Sequence, residues 1–339
     1  MTGGRIPVVW SDAHVKHAPK LQVVDGVDYP HPEVPSRPRL VREALVEADL
    51  AELVPPEDCD DGAIDRVHAR AYREFIRHAC ASLAEDEQLT TDGVSADPTV
   101  LESERLATRA SFFAFGTDAP LMHDTYRAAR AAVAVAVTGA TLVTAGAPHV
   151  FVLCRPPGHH AEYDRMGGFC YLNNAVIAAH QLLPAGRVAI LDVDYHHGNG
   201  SQHLTYERAD ILYVSLHADP SFAYPGFSGK RDEQGSGVGE GFNHNFPLPP
   251  RTAIDAYEAA LSEACERIAE FGPARLVVSL GFDTHADDPI AMFALRSEDF
   301  ARVAAPIAGL SLPTLHVLEG GYALARLGAC AVSYVRALA

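Results

Sequence analysis

Hydrophobic positions along this chain gather in short, nearly continuous runs separated by stretches of helical spacing. The runs at 7–10, 149–154, 187–193, 211–216, 275–280 and 314–318 are rich in aliphatic and β-branched residues and do not alternate with polar ones. That is the pattern of strands covered on both faces. Between them, 175–183 and 254–271 carry apolar residues at helical spacing. Strand and helix in alternation predict an α/β fold whose central, mostly parallel sheet carries helices on both faces. The 339 residues suffice for one large domain or two ordinary ones. No internal repeat or long linker divides them, so a single domain over 1–339 is expected.

Parallel sheets keep their chemistry at the carboxyl ends of strands, and polar clusters follow four of the runs. They are Arg155-Pro156-Pro157-Gly158-His159-His160, Asp192-Val193-Asp194-Tyr195-His196-His197-Gly198-Asn199-Gly200, Gly281-Phe282-Asp283 and Glu319-Gly320-Gly321-Tyr322. A sheet would bring these ends to one rim.

Composition narrows the function. The net charge of −17, without a long Lys/Arg run, argues against nucleic-acid binding and against docking on anionic membranes, while favouring a cationic small molecule. The first residues have no apolar signal core. The most membrane-like stretch, 131–142, is too short to span and follows Arg127 and Arg130. Six scattered cysteines without a C-x-x-C pair suit reduced, buried thiols in the cytoplasm.

Asp194-x-His196 carries the central chemistry. In an extended segment, residues i and i+2 project to one side, so carboxylate and imidazole can converge on a cation. Asp283, from another strand end, offers a third ligand. Such a set suits Zn²⁺ or Fe²⁺ and leaves a position open for water. The competing view is that Asp194 and Asp283 only cap the helices that follow them. His159 and His160 point to opposite faces if extended, so acting together they require a loop; beside the other polar ends they suit general acid–base work.

Taken in order, these segments and Gly167-Gly168-Phe169-Cys170-Tyr171-Leu172-Asn173-Asn174 resemble the histone-deacetylase superfamily, most of all its bacterial acetylpolyamine amidohydrolases, along nearly the whole chain. The resemblance implies the arginase/deacetylase-type three-layer fold, with zinc on Asp194, His196 and Asp283. It implies His160 as general base and His159 as electrostatic helper, with Asn199 and Asp192 as their respective partners, and Tyr322 as hydrogen-bond donor to the scissile carbonyl. Gly168 and Phe169 would form the channel wall, with the Gly168 carbonyl receiving the substrate N–H, and Tyr224 would face them. A structural K⁺ would sit on the carbonyls of Asp192, Asp194, His196 and Leu216 and the Ser215 hydroxyl.

The loop-rich stretch 85–124, without a clear strand, matches an insertion that the resemblance places at the channel rim or in a homodimer interface. Its Asp118 would meet a substrate cation or a peptide backbone equally well. Phe112, Phe113 and Phe115 suit local packing or a dimer contact. Gln22 and Ala107 stand where the polyamine enzymes have further acidic residues, with Glu102 and Glu104 only nearby; His14 and His31-Pro32-Glu33 have no assignable role. The expected activity is hydrolysis of small acetylated amines such as acetylpolyamines. The alternatives are a deacetylase of protein lysines or of a metabolite, and a non-catalytic acetyl-ligand module, against which the intact proton-handling set argues.

Overall fold

The computed structural model describes residues 4–24 and 27–338. Eight strands form the main sheet: β1 (Ile6–Val9), β2 (Ala51–Val54), β3 (His149–Val152), β4 (Val188–Asp192), β5 (Ile211–Ala218), β6 (Asn243–Leu248), β7 (Arg275–Leu280) and β8 (Thr314–Leu318). Their order is β6-β5-β4-β7-β8-β3-β1-β2, and every neighbouring pair is parallel. Six of them are the apolar runs of the sequence, displaced by at most two residues at either end. β2 and β6 have no such run because they are the edges. Glu52 and Leu53 of β2 are exposed, and β6 carries Asn243, Asn245 and Pro247, which an edge strand tolerates.

Successive residues of the strands feed opposite layers. Val188 and Ile190 of β4, with Val150 and Val152 of β3, pack into one core with the helices Thr125–Thr144 and Asn174–Leu182. Ala189, Leu191 and Phe151 pack into the other, with Ser36–Glu47, Ile254–Phe271, Phe300–Gly309 and Leu324–Arg336. This is the expected three-layer arrangement.

The apolar stretch 131–142 is longer in the fold than in the sequence reading. It belongs to the helix Thr125–Thr144, which among the described residues is the one helix long and apolar enough to cross a membrane by length and composition. Much of it is covered by the sheet instead. At Gly139 the backbone lies so close that a Cβ would fall 2.3 Å from Val152 Cγ1 and 2.7 Å from Leu315 Cδ1. The 85–124 stretch does hold a short ladder, Gln88–Leu89 against Leu121–Met122. Phe113 stacks on Phe75, and Phe115 meets Phe227 and Tyr224, so this aromatic group packs within the chain.

His14 and Glu33 acquire a structural role. Glu33 Oε1 accepts from Arg37 Nη1 at 2.9 Å and from Arg155 Nε at 2.8 Å, with all three side chains buried. Arg155 also reaches the His14 carbonyl (2.9 Å), while Arg37 donates to the carbonyls of Gly321 (2.6 Å) and Glu319 (2.5 Å). The cluster ties the N-terminal segment to the loops after β3 and β8. Burial alone would raise the Glu33 pKa, but the Arg155 and Arg37 guanidiniums outweigh it and hold it at about 2. A carboxylate depressed in the folded state stabilises fully above its unfolded pKa and loses that contribution as pH falls through its folded value. Glu33→Gln should therefore cost several kcal/mol at pH 7, about 3–5 by analogy with other broken buried pairs. The gap to the unsubstituted protein should narrow between about pH 5 and pH 2. Urea unfolding at stepped pH tests this; a gap independent of pH would refute it.

Candidate active site

The strands that precede the four polar clusters, β4, β7, β8 and β3, are consecutive in the sheet. Their carboxyl ends deliver His159 and His160, Asp194 and His196, Asp283, and Tyr322 to one place. Ligand atoms of Asp194, His196 and Asp283 lie within 4.8 Å of one another. His196 Nδ1 is 3.0 Å from Asp283 Oδ2 and 3.3 Å from Asp194 Oδ1. The remaining oxygens take backbone N–H groups: Asp194 Oδ2 from Gly320 (2.8 Å) and Asp283 Oδ1 from Tyr195 (2.9 Å). Neither aspartate caps a helix. The helix after β4 starts at Asn199, and the first helical turn after β7 starts at Ser297.

The electrostatics of this floor call for a cation. Asp283 is fully buried, and burial together with the neighbouring Asp194 charge raises its pKa to about 7. Burial pushes Asp194 the same way, but the His159 and His196 charges hold it below the usual range. Two buried carboxylates this close do not both ionise without compensation. A dication among two oxygens and one imidazole nitrogen supplies it, and the donor set matches a catalytic zinc site with three protein ligands.

The tandem histidines occupy a turn, with ring centroids 4.0 Å apart. His159 Nδ1 donates to Asp192 Oδ2 at 3.1 Å, and His160 Nδ1 pairs with Asn199 Oδ1 at 2.8 Å. Their surroundings shift the two imidazole pKa values in opposite directions. Burial works against a charge on His159, yet Asp194 and Asp192 raise its pKa to about 10. Burial and the positive field of His159 and His196 drive His160 well below the ordinary imidazole value. Tyr322 stays an O–H donor, because burial lifts its pKa far more than Arg37, 4.7 Å from its ring centre, lowers it.

These groups open onto a cavity of about 480 Å³ lined by Gly168, Phe169, Tyr224, Asp118 and Tyr322, with Gln22, Val23 and Ile290. Phe169 packs edge-on against Tyr322 and Tyr224 edge-on against His160. Asp118 is engaged: its Oδ1 accepts the Gly168 N–H at 2.8 Å. Among the described residues it is the one carboxylate lining this cavity; Glu102 and Glu104 do not line it. Of the potassium candidates, Asp192 and Ser215 are register partners on β4 and β5, and the Ser215 hydroxyl bonds His217 Nδ1 at 2.8 Å.

Three supports were not singled out from sequence. Glu319 Oε2 accepts from Gly158 N at 2.7 Å and from His159 N at 3.3 Å, fixing the turn that carries the histidines. Asp288 Oδ2 accepts from Tyr322 N at 2.7 Å. Arg37 packs over the Tyr322 ring. Only Glu319, inside a motif, left a signal.

Gly168 and Phe169 have φ of 56° and 64°, a left-handed pair that glycine accepts and phenylalanine resists. A Cβ on Gly168 would lie 2.2 Å from His160 Cδ2. Gly168→Ala should displace the His160 ring and lower kcat about 100-fold, since a misplacement of about 1 Å has that cost. Steady-state kinetics alongside a melting curve tests this; full turnover in the variant would refute it.

A family model for the histone deacetylase domain matches residues 31–338. The chain is 42% identical to acetylpolyamine amidohydrolase 1 of Pseudomonas aeruginosa, with 97% of each chain covered. It is 37% identical to the acetylpolyamine amidohydrolase of Mycoplana ramosa, over 95% of this chain and 96% of that one. In structure it resembles the acetylpolyamine aminohydrolase of Burkholderia pseudomallei, with TM-score 0.92, 34% identity and 98% of each chain covered. It also resembles the HDA15 HD domain, with TM-score 0.83, 27% identity, and 99% and 89% covered. This chain belongs to the histone deacetylase family.

Proposed function

We propose that the chain is a zinc-dependent amidohydrolase that removes acetyl groups from small acetylated amines, acetylpolyamines first among them. The observation that carries this is the convergence of Asp194, His196 and Asp283 beside His160 and Tyr322 at the end of one cavity. Zinc dependence is general in the family, and Fe²⁺ suits the same donors. The substrate class is taken from the names of the relatives.

Bound at these three ligands, the ion would act as a Lewis acid and acidify water. The chain's own groups do the rest. His160, with its Nδ1 turned to Asn199, presents Nε2 as the base that takes the proton of the attacking water. Tyr322 O–H donates to the carbonyl oxygen as it becomes negative, the work of an oxyanion hole. The Gly168 carbonyl receives the substrate N–H, while Phe169 and Tyr224 hold the alkyl arm of the amine and exclude water. His159, its Nδ1 held by Asp192, lies beside the developing oxyanion as an electrostatic helper. The proton taken by His160 returns to the departing amine.

The chain acts in this proposal as one domain, with 85–124 supplying the rim through Gly116, Thr117 and Asp118 and, in a homodimer, the interface. A K⁺ on the Asp192, Asp194, His196, Ser215 and Leu216 oxygens would brace the floor. The six cysteines are unpaired and buried, which suits a reducing cytoplasm.

A panel of acetylated putrescine, cadaverine, spermidine and an acetyl-lysine peptide, assayed before and after chelation, tests the proposal. Expected are chelator-sensitive hydrolysis and higher kcat/KM for the small amines. A wide preference for the peptide would overturn the substrate class, and full activity without metal would overturn the chemistry. Tyr322→Phe should lower kcat about 10²–10³-fold while zinc content stays unchanged by elemental analysis. Near-normal turnover in that variant would remove Tyr322 from the reaction.

A further inference from the structure

On the far side of Asn199 from His160 lies Glu162, nine-tenths buried. Asn199 Nδ2 donates to Glu162 Oε1 at 2.9 Å and, more weakly, to the His160 carbonyl at 3.4 Å. The Glu162 backbone is itself fixed. Asn173 N–H donates to His68 Nε2 at 2.8 Å, so the His68 proton resides on Nδ1 and goes to the Glu162 carbonyl, also at 2.8 Å. The other carboxylate oxygen is 3.6 Å from His203 Nδ1. Both face a second cavity of about 770 Å³, distinct from the substrate channel.

The consequence follows from the symmetry of an amide. Asn199 could offer His160 either its oxygen or its NH₂, and the two orientations demand opposite imidazole tautomers. Oxygen toward His160 requires a proton on Nδ1 and leaves Nε2 a free base. NH₂ toward His160 would place the proton on Nε2 and remove the base. An ionised carboxylate accepts and never donates, so Glu162 takes the Asn199 NH₂ and turns the amide oxygen to the histidine. We propose that Glu162 is a positioning residue that sets the tautomer of His160 through Asn199. This rests on the amidohydrolase reading in taking His160 as the base.

A double-mutant cycle tests it on the zinc-loaded protein. Glu162→Ala should lower kcat about 10–100-fold, part of what a positioned general base contributes, with KM and zinc content unchanged. In the Asn199→Asp background the same truncation should cost no further rate, because aspartate can only accept from Nδ1–H and needs no orientation. Glu162→Gln keeps the shape and the packing but allows the amide to turn, so it should lose rate only in the Asn199 background. Long-range ¹H–¹⁵N NMR should show the Nδ1–H tautomer of His160 in the unsubstituted protein and a mixture in Glu162→Ala. An unchanged tautomer in Glu162→Ala, or the same fold-loss in both backgrounds, would overturn the proposal. If the unsubstituted protein hydrolysed no acetylated amine, the amidohydrolase reading would fail while the NMR arm still decided the role of Glu162.

Discussion

Two carboxylates and an imidazole share one buried floor, and the surrounding chain is shaped by the cost of burying them. Isolated buried charges are penalised by several kcal/mol each, so Asp194 and Asp283 each receive a backbone N–H on one oxygen and face His196 with the other. Backbone can come this near only where side chains are missing. A Cβ at Gly281 would lie 2.3 Å from Asp194 Oδ2, and one at Gly320 would lie 2.4 Å from Asp283 Oδ2. Gly281 and Gly320 are thus room for the carboxylates before they are anything else. A cation seated there completes a charge balance that the protein leaves one step short.

The same field sorts the two histidines. They are neighbours in sequence, equally buried, and 4.0 Å apart, so their difference comes from the charges and partners around each ring. Asp194 and Asp192 set carboxylates against His159, while Asn199 offers His160 a neutral dipole. Environments that push paired groups apart in this way assign the roles of charge and base. The division depends on the orientation of one amide, which nothing in Asn199 itself decides. That is why the loop carrying Glu162 belongs to the chemistry although it touches no substrate.

The central strands were legible in the sequence because their burial on both faces leaves uninterrupted apolar runs, and the polar residues after them followed from parallel topology. Asp194, His196 and Asp283 could be grouped because they follow the ends of adjacent strands. The sequence reading placed Asp194 and His196 in an extended segment, whereas β4 ends at Asp192 and a bend over 194–196 brings them together. The edge strands β2 and β6 were not legible, since β2 exposes Glu52 and β6 buries Asn243 and Asn245 against Gln202, so neither leaves an apolar run. Nor were the supports. Glu33 meets Arg37 four residues on, yet its second partner, Arg155, is 122 residues away. Asp288 reads as a loop aspartate until the fold brings Tyr322 N–H to it. Contacts of this kind are set by how loops from different crossovers close over the sheet, which no local periodicity records.

Asp118 bears on how a cation would be chosen by the proposed enzyme. One of its oxygens is committed to the Gly168 N–H, and burial raises its pKa against the pull of that bond. It therefore first holds the left-handed turn at Gly168 and Phe169, and it is a poor free counter-ion for an ammonium passing through. The rest of the throat, with Phe169, Tyr224, Val23, Ile290 and the neutral Gln22, suits methylenes rather than charge. An acetylated diamine would lay its alkyl arm along this wall and keep its ammonium beyond it, in solvent and in the field of a chain with net charge −17. Attraction of that kind acts over about 8–10 Å at physiological salt and gathers cations without fixing their position. Length selection then falls to the apolar wall, and charge selection to the outer surface.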